Sequence, residues 1–200
     1  MKVLRQNLST LILASSSPRR SLLLDQLGIK HKIMPSEGEE LGLKAPLDTR
    51  LAVYLAKKKL DWILAQDWQL EEEWILAADT LGFLDGHVLG KPKDRNDADR
   101  MLRAMSGCEH LVVTGMALHH PISREVHEIS AQTKVSFRDL SEDDIQWYLD
   151  LEEWKDAAGA YKIQEKGAVL VESIQGDYNT IIGLPLTALW TWLKEEGFLL

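Results

Sequence analysis

The stretch from Leu11 to Gly28, LILASSSPRRSLLLDQLG, reads as a strand, a polar turn and a helix. Leu11 to Ala14 is a short apolar run, and Ser17 followed by Pro18 is an N-cap followed by a first-turn proline. Leu22, Leu23, Leu24 and Leu27 give the helix a wide apolar face, and Gly28 supplies a C-terminal stop. Arg19 and Arg20 therefore fall in the first turn, where the helix macrodipole disfavours cations unless something anionic sits between them. The unpaired N–H groups of a helix N-terminus, the hydroxyls of Ser15, Ser16 and Ser17, and two guanidiniums are the parts of a phosphate cradle. The same residues also fit two arginines decorating a surface helix, and only the flanking chain separates the two readings.

Downstream, His31 to Met34 is a short strand, and the loop PSEGEE brings Glu37, Glu39 and Glu40 together. Acidic loops are mostly just solvated, but hard oxygen ligands of this kind are what a divalent cation needs. Asp48 to Leu64 reads as a helix carrying Lys57, Lys58 and Lys59, and spacing does not say which lysine could reach a phosphate. After the polar segment Asp67 to Glu73, Trp74 to Ala78 reads as a buried strand that ends at Asp79-Thr80. Open α/β sheets place ligands at the carboxyl ends of their strands, which makes Asp79 the leading candidate for chemistry.

Asp85-Gly86 between two apolar runs is a two-residue hairpin signal. Pairing outward from it matches Leu84 with His87, Phe83 with Val88, Gly82 with Leu89 and Thr80 with Lys91, so Lys91 is expected diagonal to Asp79 and within side-chain reach. The competing reading of Lys91 is a surface salt bridge. Further on, Asn96 to Met105 is a helix, Leu111 to Leu118 a strand, Glu125 to Phe137 one or two strands, and Ser141 caps a helix to about Leu149. Ala157 to Gln164 is small and then β-like, with Gly159 marking a bend or close approach. Ala168 to Ile174 and Thr180 to Ile182 read as two more strands, and Pro185 opens a final helix. Irregular alternation with at least one hairpin favours a mixed α/β sheet with flanking helices.

The chain of 200 residues fits a single domain over 1–200, and 45% hydrophobic with 27% charged residues is ordinary globular composition. A net charge of -8 argues against a nucleic-acid polymer as partner, which would need a basic face, so any phosphate site must be local. The single cysteine, Cys108, excludes a disulfide framework and a cysteine-rich zinc site. No apolar run approaches the roughly eighteen residues of a membrane span, and the expected setting is the cytoplasm.

Read together, S-S-S-P-R-R at 15 to 20, A-D-T at 78 to 80, G-K-P at 90 to 92, S-G-x-x-H at 106 to 110, A-G-A-Y-x-I-Q at 158 to 164 and G-L-P-L at 183 to 186 resemble the Maf nucleotide pyrophosphatases, also called septum formation inhibitors. The resemblance keeps the family's motif order over nearly the whole chain. It implies an inosine-triphosphatase-like α/β fold with two lobes around a cleft, a divalent metal (Mg²⁺ or Mn²⁺), frequent homodimers, and hydrolysis of nucleoside triphosphates between the α and β phosphates. It also implies roles. Asp79 would accept the proton of the attacking water and share the metal with Glu40. Ser15, Ser17, Arg20, Lys59 and Lys91 would bind phosphate. Arg19, Thr80 and Gln164 match the dTTP/UTP branch, where the branch acting on 7-methyl-GTP tends to have tryptophan, glutamine and glutamate. Two departures bear on selectivity: Lys162 and Glu165 stand where the usual Y-G-I-Q-G has glycines, and Leu60 follows Lys59 in place of alanine. If those glycines serve a positive φ or close nucleotide approach, the base pocket is altered.

The expected chemistry is attack of a positioned water on the α-phosphorus, with cations stabilising the charge that builds on the phosphate oxygens. The alternatives are a pyrophosphatase for modified or non-pyrimidine nucleotides, and a nucleotide-sensing division regulator whose hydrolysis is incidental. Turnover separates the second of these from an enzyme.

Overall fold

The computed structural model describes residues 10–37, 48–68, 70 and 73–198. The first βα unit forms as the opening motif dictates: strand β1 (Leu11–Leu13), helix α1 (Pro18–Gln26) and strand β2 (His31–Ile33). Helix α2 (Leu51–Leu64) then crosses to strand β3 (Trp74–Leu84), and β1 lies between β2 and β3, parallel to both. Parallel neighbours need such crossovers. The remaining strands β4 (His87–Leu89), β5 (Glu109–His119), β6 (Val126–Phe137) and β7 (Val171–Gln175) join antiparallel. The result is a mixed seven-stranded sheet in the order β2-β1-β3-β5-β6-β7, with β4 also on β3.

Period-two alternation along β3 sorts its side chains to two layers. Leu76 and Ala78 join Leu24, Leu189 and Trp192 under α1 and the last helix, α6 (Leu186–Glu195), while Ile75 and Ala77 meet Ala56, Leu60 and Ile63 of α2. At the far end of the same long strands a second core gathers Leu102, Met105, Val135, Phe137 and Tyr148 beneath α3 (Arg95–Met105) and α4 (Glu142–Asp150). Two lobes thus share β3, β5 and β6. Between them β3 loses a neighbour: β1 pairs with it from Leu11–Trp74 to Leu13–Leu76 and makes its last bond from Ala14 N–H to Leu76 C=O, and pairing with β4 begins only at Gly82–Leu89. Ala77 to Leu81 pair with β5 alone, and the cleft opens at that gap.

Several expectations need correction. Strand β3 does not end at Asp79, because its pairing with β5 continues unbroken from Ile75–His119 to Phe83–Leu111. The carboxylate is interior to its own strand, yet it lies beyond the end of β1. Thr180 to Ile182 are helical in α5 (Tyr178–Ile182), which is capped by Asp177 accepting from the Asn179 N–H at 2.9 Å. Their β-branched propensity yields to that cap and to Thr180 C=O accepting from a buried hydroxyl. Ala157 to Gln164 is not a strand: a 3-10 turn over Ala158–Ala160 has Gly159 at φ 70, with its N–H donating to Gly90 C=O at 3.0 Å. A second 3-10 turn, Lys166–Leu170, replaces the start of the strand expected from Ala168. Among the described residues no helix is long and apolar enough to cross a membrane.

Candidate active site

Ser17 is the N-cap of α1 in extended conformation, but its hydroxyl makes no capping bond. Ser15 does the local work: its Oγ accepts from the Ser17 N–H at 3.2 Å and from Arg20 Nη1 at 2.9 Å. The buried Arg20 guanidinium also donates through Nε to Gly183 C=O at 2.9 Å and through Nη2 to Thr80 Oγ1 at 3.1 Å. Burial lowers its pKa from the ordinary value, the charge of Asp79 opposes that, and Arg19 adds to it. A guanidinium stays charged all the same. Arg20 therefore fastens the turn, β3 and the entry to α6 to one another, spending three of its five N–H groups on protein. Arg19, half-buried, lines the cleft beside it.

The hydroxyl protons at the base of the cleft have one consistent arrangement. Thr114 Oγ1 donates to Thr180 C=O at 2.7 Å, so at the 2.8 Å contact between Thr80 and Thr114 it is Thr80 that donates. With its proton committed and one lone pair taken by Arg20, Thr80 can offer the cleft only an acceptor. Gly183 stands against this group at φ 120, where a Cβ would come within 3.1 Å of Thr80 Oγ1. That explains a glycine in G-L-P-L.

Asp79 faces the opposite layer, toward α2, and its Oδ1 accepts a hydrogen bond from Lys59 Nζ. The three consecutive lysines divide their tasks: Lys57 pairs with Glu128 at 3.2 Å, Lys58 lies 5.5 Å from the Tyr54 ring centroid, and Lys59 goes to the carboxylate. Gly115 sets the approach. It is the register partner of Asp79 on β5, and any Cβ there would collide with the backbone of Ala52 and Val53 in α2. Lys59 is two turns along the same helix face from Ala52, so a helix seated on Gly115 delivers its ammonium to Asp79. Gly115 is a residue that the motif reading missed, although an isolated glycine inside a strand is itself a sign of close backbone approach.

The cleft encloses about 700 Å³. Ser15, Ser17, Arg19, Lys59, Asp79, Lys91 and Gln164 all line it. The hairpin register holds from Leu84–His87 to Gly82–Leu89, but the ladder stops there, and Thr80 is not paired with Lys91. The Lys91 ammonium is exposed and 4.0 Å from Asp156, so Lys59 rather than Lys91 is the partner of Asp79. Gln164 keeps its amide nitrogen buried without a partner among the described residues. His110, also on the cleft wall, shares a 2.9 Å hydrogen bond with Tyr161 Oη, and burial pushes its pKa down to about 4. Neither position where the usual pattern has glycine takes a positive φ: Glu165 has φ -116, and Lys162 is not among the residues with positive φ.

Glu39 and Glu40 lie outside the described residues. Among the described residues no group of three or more His, Cys, Asp or Glu side chains could hold a metal ion. The donor chemistry still suits Mg²⁺, which takes one or two carboxylates and completes its shell with phosphate oxygens and water. Asp79 could supply one such hard ligand, since Oδ2 has no protein donor among the described residues.

A family model described as Maf-like protein matches residues 10–196. The chain is 40% identical over 188 residues to the dTTP/UTP pyrophosphatase of Thermotoga maritima, covering 94% of this chain and 90% of that protein. The protein of the same name from Pyrococcus abyssi is 44% identical over 185 residues, at 92% and 95% coverage. That from Thermus thermophilus is 43% identical over 188 residues, at 94% and 95%. Among solved structures, the Staphylococcus aureus Ham1 protein superposes with a TM-score of 0.55 at 11% identity, over 94% of this chain and 100% of that one, a likeness of fold alone.

Proposed function

This chain belongs to the Maf-like protein family, and we propose that it is a nucleoside triphosphate pyrophosphatase that hydrolyses dTTP and UTP to the nucleoside monophosphate and pyrophosphate. The observation that carries this reading is the buried Asp79–Lys59 pair in the sheet gap, facing a cleft bordered by the Ser15–Ser17 turn and the N-terminus of α1. Lys59 fixes the carboxylate through Oδ1, which leaves Oδ2 to orient a water and take its proton as the water attacks the α-phosphorus. The turn hydroxyls, the first N–H groups of α1 and Lys91 receive the phosphate oxygens. Arg20 holds that turn in shape through Ser15 and adds its charge from behind. A divalent cation held by Asp79 and Glu40 would supply Lewis-acid stabilisation of the phosphate charge.

Base choice is assigned to Arg19, the acceptor of Thr80 and the unpartnered amide of Gln164, whose donor and acceptor suit the carbonyl and N–H of a pyrimidine edge. Work in the cytoplasm accords with a lone free cysteine, Cys108. The test is pyrophosphate release, with and without Mg²⁺ or Mn²⁺, across standard and modified triphosphates. Turnover of UTP and dTTP above about 0.1 s⁻¹, near the low end of enzyme values, supports the reading. Stoichiometric binding without product would favour a nucleotide sensor, and preference for a modified base would move the substrate while keeping the reaction.

A further inference from the structure

The cleft has fewer uncommitted cations than its sequence suggests. Lys59 is spent on Asp79, and Arg20 is buried on three protein acceptors. A triphosphate brings several negative charges, and among the described residues the cleft cations without a hydrogen-bonded protein partner are Arg19, Lys91 and one that no motif assigns, Lys162. The Lys162 side chain is only 21% exposed, close to the 20% of Lys59, and it lines the same cleft. Lys59 has a hydrogen-bonded carboxylate. Lys162 has only Glu165, 44% exposed and 3.8 Å away, which is beyond hydrogen-bond range. Its ammonium has no hydrogen-bond acceptor among the described residues, so it is left to water at the cleft and free to meet an anion there.

Its placement relates it to Lys91. The Gly159 N–H bonds Gly90 C=O, so the segment carrying Lys162 is stitched to the residue before Lys91. Both lysines lean on a carboxylate at salt-bridge rather than hydrogen-bond distance, Lys91 on Asp156 at 4.0 Å and Lys162 on Glu165. The Lys162 backbone is held independently of its side chain: its N–H donates to Tyr148 Oη at 3.1 Å.

We propose that Lys162 is an additional phosphate ligand of this cleft, parked against Glu165 in the free protein and transferred to the polyphosphate of the substrate on binding. The proposal rests on the reading of the cleft as a triphosphate site. It makes Lys162 a binding residue and Glu165 its competitor.

The experiment is calorimetric titration of inorganic tripolyphosphate into the full chain, with UTP kinetics in parallel. Lys162→Met is expected to weaken tripolyphosphate binding about tenfold, the scale of one charge-assisted hydrogen bond, with kcat/KM for UTP falling through KM. Lys162→Arg should hold affinity within about threefold of the parent, and Glu165→Gln should tighten binding by removing the competing carboxylate. Lys166→Met removes the same charge from a lysine that does not line the cleft, and is expected to leave tripolyphosphate affinity unchanged. Parent-like binding by Lys162→Met overturns the proposal, as does an equal loss in Lys166→Met, which would reveal only the general field. Because tripolyphosphate binding needs no turnover, the two readings fail separately. A Lys162-dependent anion site without UTP hydrolysis would overturn the pyrophosphatase reading alone. UTP hydrolysis with Lys162-independent binding would overturn this one alone.

Discussion

Lys59 of α2 and Asp79 of β3 are hydrogen-bonded counter-ions on the wall of the cleft, with side chains only 20% and 10% exposed. The pair occupies the one stretch of β3 that neither β1 nor β4 covers. A charge pair at a break in an otherwise paired strand adds little to packing that an apolar pair could not supply, which accords with the catalytic role proposed for it.

Asp79→Asn keeps size and a hydrogen-bonding group while removing the proposed base. Its kcat for UTP is expected to fall about 10²- to 10⁴-fold, far beyond what the modest destabilisation from unpairing Lys59 accounts for. Near-normal turnover measured by pyrophosphate release would refute the role of this carboxylate.

Lys59→Met leaves a nearly buried carboxylate without its counter-ion. The expected loss is about 2 kcal/mol of unfolding free energy, less than the 3–5 kcal/mol typical of a fully buried pair, together with a large loss of activity. In the double variant with Asp79→Asn the two stability losses should not add, because the second change removes the charge that the first stranded. Additive losses in urea titrations would show that the two groups are not coupled.

Gly115→Ala asks whether α2 is set by the close approach. The added methyl meets the backbone of Ala52 and Val53, so the helix must lift. We expect a loss of about 1–3 kcal/mol and a drop in kcat out of proportion to it, because Lys59 moves with the helix. A variant with full activity would place the control of Lys59 elsewhere.

Gln164→Glu exchanges an amide donor for a carboxylate. UTP and dTTP turnover should fall relative to other nucleotides in a panel, and unchanged ratios would remove Gln164 from base selection.

His110 predicts a pH dependence of stability. Burial holds its folded pKa near about 4 against the ordinary 6.5, so between those values the unfolded chain binds a proton that the folded chain does not. This contribution is fully present above about pH 6.5 and is lost as pH falls, amounting to about 2 kcal/mol by pH 5. Urea unfolding at pH 7 and pH 5 should show that extra loss in the parent and not in His110→Gln. Equal losses in both would assign the acid sensitivity to carboxylates.

Local pattern was enough for elements whose own residues enforce them: the βα unit from Leu11, the Asp85-Gly86 hairpin in its first three pairs, and the capping box of Ser141 with Asp144. It failed where a distant partner overrode propensity. Thr180 to Ile182 looked like a strand and formed a helix under the Asp177 cap and a Thr114 hydroxyl. Extending the hairpin register places Lys91 beside Asp79, but the ladder stops two residues short.

By itself, then, the sequence determined the α/β class, the motif order and Asp79 as the leading candidate, because strand and helix periodicities, caps and turns are local properties of the chain. Only the tertiary structure decided which of three lysines meets that carboxylate, that Arg20 is committed to Ser15, Thr80 and Gly183, and that Lys162 has no acceptor among the described residues. Those are pairings across long sequence separations. They depend on how closely a helix can sit on a sheet at Gly115, which spacing along the chain does not record.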